Sequence, residues 1–232
     1  MRGSEPAQLE AMISFLSVFN PSLGKQDGWK WALTKDGIYS VRSAYAKIQE
    51  HAVLISDKSF SILWSLPIPS SAAALVWKLF LDRLQTRDNL RKRAILVDLA
   101  DCLCPLCLEA EESSAHLFFT CQVVWRVWMS IYNWLGFSTV LHEDGKSHFW
   151  ANEWGFKSLS QRQVGWSIWT AVVSSVWNIR NDMLFRGAVC DVAKVVDQCK
   201  FNSWVWLQAK LPDFKFSWYE WHQHPWLCCS QV

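Results

Sequence analysis

The stretch CLCPLCLEAEESSAHLFFTC, residues 102–121, places four cysteines and one histidine within twenty residues. A metal site, a disulfide framework and part of a catalytic centre are the three uses open to such a cluster. The N-terminus MRGSEPAQLEAM lacks the apolar stretch and small-residue cleavage site of a signal peptide. With 51% hydrophobic residues in 232, the chain can also build a core without disulfides. We therefore expect an intracellular, reduced protein, in the nucleus or the cytoplasm, whose clustered thiols bind metal.

The spacing of the cluster selects four ligands. Cys104 and Cys107 form one pair, and His116 and Cys121 form the second, in the pattern C-x2-C-x8-H-x4-C. Thiolate and imidazole ligands in two such pairs suit tetrahedral zinc, and four protein ligands leave the ion no open position. We therefore predict one structural Zn²⁺. Cys102 is left over, because a one-residue spacer to Cys104 makes a poor chelate turn.

The second ligand pair also predicts a local break. In an uninterrupted α-helix, residues five apart lie about 140° apart around the axis. We therefore expect His116 on one helix and Cys121 at the opening of the next. The alternative, thiols that are buried simply as small hydrophobic side chains, is disfavoured by two spaced pairs within eighteen residues.

The rest of the chain predicts a mainly α protein: a small helical zinc-binding domain with one N-terminal β-hairpin and C-terminal helices. Alternating side chains around Asp36-Gly37 in WKWALTKDGIYSV, residues 29–41, predict the hairpin. Helical periodicity recurs from residue 7 to 19 and in most segments after residue 41. The predicted parts are an N-terminal helix and loop (1–27), the zinc-binding domain (28–137), a linker-like stretch (138–157), a C-terminal helical pair (158–211) and an aromatic tail (212–232).

One apolar segment, VGWSIWTAVVSSVWNI at residues 164–179, is too short for a membrane span, which needs about 20 residues. Its polar residues recur every three or four positions: Ser167, Thr170, Ser174 and Asn178. That stripe indicates a buried amphipathic helix, and we expect no membrane association.

Several stretches resemble a known family. LPIPSSAAALVWKLFLDRLQTRDNLRKRAI (66–95), CPLCLEAEESSAHLFFTC (104–121) and VWRVWMSIYNWLG (124–136) are similar to the reverse-transcriptase zinc-binding domain of plant LINE-type, non-LTR retroelements. WKWALTKDGIYSVRSAY (29–45) resembles the entry to that domain, and SVWNIRNDMLF (175–185) the helix that often follows it. The likeness covers most of residues 28–187.

The resemblance implies zinc ligands at Cys104, Cys107, His116 and Cys121, with Cys102 outside the motif. It also implies partners: RNA or DNA, and the polymerase or other regions of a retroelement protein. Two departures stand out. Ser70-Ser71-Ala72 replaces a lysine-containing segment near the basic helix, and Leu108 replaces a glycine at a turn position that favours positive φ, which implies modest strain.

No catalytic constellation accompanies these motifs. A polymerase would need paired aspartates after an aromatic residue, and a ribonuclease H would need acidic residues carried on strands. Asp98 and Asp101 could lie on one helical face, but two ordinary surface carboxylates explain them more simply than a catalytic pair does. We expect the chain not to be an enzyme.

A basic cluster is the candidate contact to nucleic acid. The net charge of +2 gives no strong overall field, so any such contact needs a local patch. If one helix ran unbroken through Thr86, three arginines at intervals of four would form a stripe for phosphates. The alternative is a solvated face, neutralised in part by Glu109, Glu111 and Glu112. The cluster comprises Arg83, Arg87, Arg91, Lys92 and Arg93.

Three functional interpretations stay open at this point. The first is a non-catalytic zinc-binding accessory domain derived from a retroelement, with weak nucleic-acid contact. The second is a tryptophan-rich protein-interaction module with purely structural zinc, since the chain holds 17 tryptophans. The third is a relic open reading frame without selected activity. A second metal cluster in the tail, from His222, His224, Cys228 and Cys229, matches no common site geometry and is disfavoured.

Overall fold

A computed structural model of the chain describes residues 9–10, 12–14, 17, 28–51, 57–96, 102–139, 142–152 and 158–232. Within these ranges the protein is mainly helical, as the sequence predicts. Of the predicted N-terminal helix at 7–19, residues 9–10 and 12–14 are helical, and the remainder mostly lies outside the described residues. The chain divides into two compact units, Met1–Ile55 and Ser56–Val232. The five-part organisation predicted from the sequence stays a prediction.

In the first unit the predicted β-hairpin is wrong. Residues 28–40 form no strand, and they fold back through a turn in which the Trp31 amide donates to the Gly37 carbonyl (2.8 Å) and Gly37 adopts φ 71°. Trp29 is fully exposed, and an isolated two-stranded hairpin is marginal in water. Helix α1, Val41–His51, follows. The Ser40 hydroxyl accepts from the Ser43 amide at its start.

The second unit is a helical assembly in which the described residues contain one isolated β-bridge, Leu103 with Glu111. Its elements are α2 (Lys58–Ser65), α3 (Ser70–Phe80), α4 (Arg87–Lys92), a π turn (His116–Thr120), α5 (Gln122–Leu135), α6 (Gly145–Ala151), α7 (Leu159–Arg186), α8 (Val192–Lys210), α9 (Trp218–Gln223) and α10 (Pro225–Ser230).

Helix α7 is the centre of the core. It begins at a capping box on Ser158 and ends at Gly187, whose φ of 66° no β-branched residue would adopt easily. The predicted polar stripe does not face solvent over its first half. Ser167 and Thr170 are fully buried, and their hydroxyls donate to carbonyls one turn earlier, Gln163 (2.7 Å) and Trp166 (2.8 Å). Within the described residues no helix is long and apolar enough to span a membrane.

The stretch 138–157 contains more structure than its linker-like composition predicts. Helix α6 lies within it, capped by the Asp144 carboxylate, which accepts from the Ser147 amide at 2.8 Å. His148 and Phe149 of this helix are fully buried. The Trp169 indole of α7 donates to His148 Nδ1 at 2.7 Å. Aromatic packing against α7 therefore holds this helix, and local composition gives no sign of such a contact.

Candidate metal centre

The four predicted ligands meet at one point. The sulfur atoms of Cys104, Cys107 and Cys121 and a ring nitrogen of His116 all lie within 4.8 Å of one another. Cys107 Sγ is 3.3 Å from His116 Nε2. Tetrahedral zinc, with Zn–S near 2.3 Å and Zn–N near 2.0 Å, separates its ligand atoms by roughly 3.5–4 Å. The donor set and its spacing therefore fit a zinc ion.

The first ligand pair is carried by a short hydrogen-bonded loop, residues 102–112. The Cys104 amide donates to the Ala110 carbonyl (2.7 Å), the Leu108 amide to the Cys104 carbonyl (2.8 Å) and the Glu112 amide to the Cys102 carbonyl (2.8 Å). Leu108 adopts φ 60° with its side chain exposed. The expectation that this position favours positive φ is thus confirmed, and leucine holds it at a conformational cost.

The second ligand pair is aligned by the π turn. The Cys121 amide donates to the His116 carbonyl at 2.8 Å, a bond across five residues instead of the four of an α-helix. Because the π turn is wider than an α-helical turn, residues five apart lie near the same side of its axis. Cys121 then starts α5 in an extended conformation. The predicted break before Cys121 is confirmed, and the π turn is the local means by which the chain closes the pair.

Electrostatics prepare the buried thiols for a cation. A hydrogen bond with Cys104, together with the backbone amides of Val124 and Val123, lowers the pKa of the Cys121 thiol to about 5, against the opposing effect of burial. The same hydrogen bond and burial raise the pKa of Cys104. The lowered pKa of Cys121 favours its thiolate, the form that binds metal.

The other described cysteines and histidines are not members of this group of four. Cys102 is buried, but it is not one of the four clustered side chains. In the tail, Cys228 and Cys229 are buried and His222 lies 4.0 Å from Asp197. Across the described residues, which include the whole of 158–232, the tail forms no second metal-ligand group.

The basic cluster does not form the stripe that an unbroken helix would give. Helix α3 ends at Phe80 and α4 begins at Arg87, with Asp82 at φ 48° between them. The Arg87 guanidinium donates to the Leu103 carbonyl at 2.9 Å. Arg91 pairs with Asp88 and Glu111, and Lys92 pairs with Asp88. Three of the five cations are thus engaged by neighbouring acceptors, as the neutralised alternative anticipates.

Arg83 and Arg93 are exposed and form no ion pair within the described part of the chain. Asp98 and Asp101 lie outside the described residues. The nucleic-acid role of the cluster therefore stays a prediction.

A buried ion pair that sequence reasoning missed joins the ligand loop to α7. Glu112 is completely buried, and it accepts from Arg180 Nε (2.7 Å) and Nη2 (2.9 Å). The Arg87 amide also donates to Glu112, at 3.3 Å. In the sequence Glu112 is one of three neighbouring glutamates expected on the surface, and Arg180 lies 68 residues away.

Arg180 makes further contacts that fix its guanidinium. It donates to the Gln85 carbonyl at 3.1 Å and stacks over the Trp177 ring, 4.9 Å from the ring centroid. The loop that carries two ligands is therefore held to the longest helix by a bidentate, charge-assisted contact.

Comparison with known proteins shows a family likeness over part of the chain. Residues 39–128 match the family model described as zinc-binding in reverse transcriptase. All four clustered side chains lie inside the matched range. A curated protein of Arabidopsis thaliana, named as a candidate ribonuclease H protein, is 25% identical over 110 residues. That match covers 47% of this chain and 17% of the relative, so the chain spans a small part of that protein's length. No solved structure matches the chain.

Proposed function

We propose that the chain acts as a non-catalytic, zinc-stabilised accessory domain derived from a LINE-type retroelement reverse transcriptase. The observation that carries the proposal is the closed donor set: Cys104, Cys107, His116 and Cys121 converge within 4.8 Å inside a segment that matches a reverse-transcriptase zinc-binding family. The Arabidopsis relative supports a plant setting. Thiolate ligands also need a reducing compartment, which agrees with an intracellular protein.

The role proposed for the zinc is to hold the fold together. Four protein ligands complete a tetrahedral shell and leave no position for water or substrate, so one Zn²⁺ would serve structure, not hydrolysis. The ligands come from the loop 102–112 and from the two ends of the π turn, His116 and Cys121. Binding would tie the loop to the start of α5 and convert metal affinity into folding free energy.

Metal analysis of the purified full chain tests this role. We expect about one zinc per chain, and loss of the metal together with partial unfolding in Cys107→Ser. Cys228→Ser is the matched control, because Cys228 is a buried cysteine outside the cluster and its loss should leave the zinc content unchanged. A wild-type chain that folds fully without metal would overturn the proposal.

Weak contact with RNA or DNA through the basic cluster is a second part of the proposal. Its support is limited to Arg83 and Arg93, the two cluster cations without an ion pair among the described residues, because the others contact carboxylates or a carbonyl. Such contact should fall steeply with salt and read little sequence. Arg83→Glu with Arg93→Glu should abolish a low-salt shift of a labelled duplex oligonucleotide, while unchanged binding of the duplex would exclude the cluster.

A further inference from the structure

A polar cleft lies between α3, α7 and α8. Its volume is about 450 Å³. Among the described residues that line it, one is charged, Lys78, and no carboxylate is present. The polar lining side chains are Ser71, Lys78, Gln85, Ser174, Asn178 and Asn202. Trp177 and Trp206 supply aromatic walls.

Ser174 is the unusual member of this lining. It is 7% exposed, and its hydroxyl has no hydrogen-bond partner among the described residues. Ser167 and Thr170, earlier on the same helix, both donate to the carbonyl one turn back. A buried hydroxyl without a partner is disfavoured, so this group marks a place where a polar ligand atom would be stabilised.

Two amides near Ser174 are also available. The side chains of Asn178, one turn further along α7, and of Gln85 are exposed and make no hydrogen bond within the described part of the protein. Asn202 is already engaged, because it donates to Ser175 and accepts from Gln198. The cleft therefore offers a hydroxyl, two amides and one ammonium group to a ligand.

A second cavity, of about 570 Å³, adjoins the cleft, because Gln85 and Trp177 line both; the two together are called the groove. The charged residues that line the second cavity are Arg87 and Arg180, and one carboxylate, Glu112, contacts both. Three cations against one carboxylate give the combined groove a positive charge. An anionic, extended ligand is complementary to it.

The aromatic walls specify the class of ligand. Arg180 covers a face of Trp177, and Phe118 stacks against the same ring at 6.3 Å. Trp206 is partly buried against the core and has no ring partner among the described residues, so the accessible part of its indole can stack on a flat ligand. An aromatic platform, amides that pair with base edges and a lysine for phosphate are the elements that bind an unstacked nucleobase.

We propose that this groove binds single-stranded nucleic acid, with one base in the Ser174 cleft against Trp206 and its phosphate toward Lys78. This site uses neither the zinc ion nor Arg83 and Arg93 of the basic cluster, so it goes beyond the proposed function. A duplex would not fit the same contacts, because its bases are stacked and paired and cannot enter the cleft.

Fluorescence anisotropy of short labelled RNA and DNA single strands, at about 50 mM salt with the zinc-loaded full chain, tests the groove. Trp206→Leu should weaken binding roughly tenfold, the size expected for one lost stacking platform. Trp206→Phe retains an aromatic ring and should weaken it less. Trp226→Leu is the control, because Trp226 is a half-exposed tryptophan on α10 that does not line the groove.

Ser174→Ala separates a binding role from a packing role. It removes a buried hydroxyl without a partner, so the free protein should become more stable while its affinity for the single strand falls. Lys78→Met should lower affinity and the salt dependence, and Lys215→Met, an exposed lysine outside the groove, should change neither.

Three outcomes would refute the proposal that the groove binds single-stranded nucleic acid. One is the absence of any shift with RNA or DNA at low salt, even if a protein partner binds this face. Another is equal weakening by Trp206→Leu and Trp226→Leu. The third is binding that disappears in Arg83→Glu/Arg93→Glu but is unchanged in Ser174→Ala and Lys78→Met. Because the zinc content is measured separately on each variant, failure of the groove and failure of the zinc site are distinguishable.

Discussion

The ion pair between Glu112 and Arg180 offers a sharp test of how the ligand loop is held. The proposed change is Glu112→Gln, which keeps the side-chain volume and one acceptor oxygen but removes the charge. In the wild type the carboxylate receives two guanidinium hydrogen bonds, at 2.7 and 2.9 Å, and one from the Arg87 amide. After the change, a guanidinium that is 4% exposed would lack a counter-charge.

The expected cost follows from burial. Breaking a buried ion pair on one side costs about 3–5 kcal/mol, because the remaining charge stays desolvated and unpaired. Domains of this size are stable by about 5–15 kcal/mol in total, so the loss should be easy to measure. Arg87 reduces the loss little, since its nitrogen lies 3.8 Å from the carboxylate and its side chain is 20% exposed.

The assay is urea unfolding of the zinc-loaded chain, followed by tryptophan fluorescence, together with zinc release to a competing chelator. Glu112→Gln should lower the free energy of unfolding by about 3–5 kcal/mol. It should also speed zinc release, because residue 112 ends the ligand loop, where its backbone amide donates to the Cys102 carbonyl. The double variant Glu112→Leu/Arg180→Met removes both charges and should be far less destabilised than the sum of its single changes.

Glu109→Gln is the matched control, since Glu109 is an exposed member of the same acidic run. It should change the free energy of unfolding by about 0.5 kcal/mol or less. The reasoning is refuted if Glu112→Gln costs under about 1 kcal/mol, a surface-pair value, or if the double variant is fully additive.

Three further predictions concern single positions. Burial lowers the pKa of His148 to about 3 from its usual 6.5, so the neutral ring is favoured in the folded state. The contribution of the neutral ring to stability should be complete above pH 6.5 and fall as the pH drops toward 3. In urea unfolding between pH 6.5 and 5, the wild type should lose about 2 kcal/mol more free energy of unfolding than His148→Gln. Leu108→Gly should raise the free energy of unfolding by roughly 0.5 kcal/mol, since relief of a left-handed conformation exceeds the entropic cost of glycine; Leu108→Ala, which keeps the strain, should not. Thr86→Ala removes the hydroxyl that accepts from the Asn89 amide at the start of α4, and should cost about 1 kcal/mol by the same measurement.

Each of these three has a contrary result. An identical pH dependence in wild type and His148→Gln would show that the buried imidazole does not titrate as inferred. A loss of stability in Leu108→Gly would mean that its exposed side chain makes contacts that matter. A neutral Thr86→Ala would show that the cap contributes little beside the other bonds of α4.

The local features of the metal site could be predicted from the sequence because they depend on residues close together in the chain. C-x2-C defines one tight loop, and the position of His116 relative to Cys121 requires a break, which the structure supplies as a π turn. The strain at Leu108 also follows from a single turn position. The zinc ion itself and its structural role remain a proposal.

Predictions that needed knowledge of neighbouring segments were less successful. The alternation in residues 29–41 suggested a hairpin, but no third strand or apolar surface within the described part of that unit supports one. The stretch 138–157 reads as a linker, yet His148 and Phe149 belong to a helix buried against α7. Composition reports what a segment contains and says nothing about what covers it.

The sequence by itself therefore determined a mainly helical chain, the ligand set and the break that aligns its second pair, since spacing and periodicity act over a few residues. Only the tertiary structure decided that Glu112 is buried, that Arg180 is its partner across 68 positions and that Ser174 lines a cleft without a hydrogen-bond partner. The physical reason is that the cost of burying a charge or a hydroxyl depends on atoms supplied by distant segments, and one-dimensional spacing does not contain them.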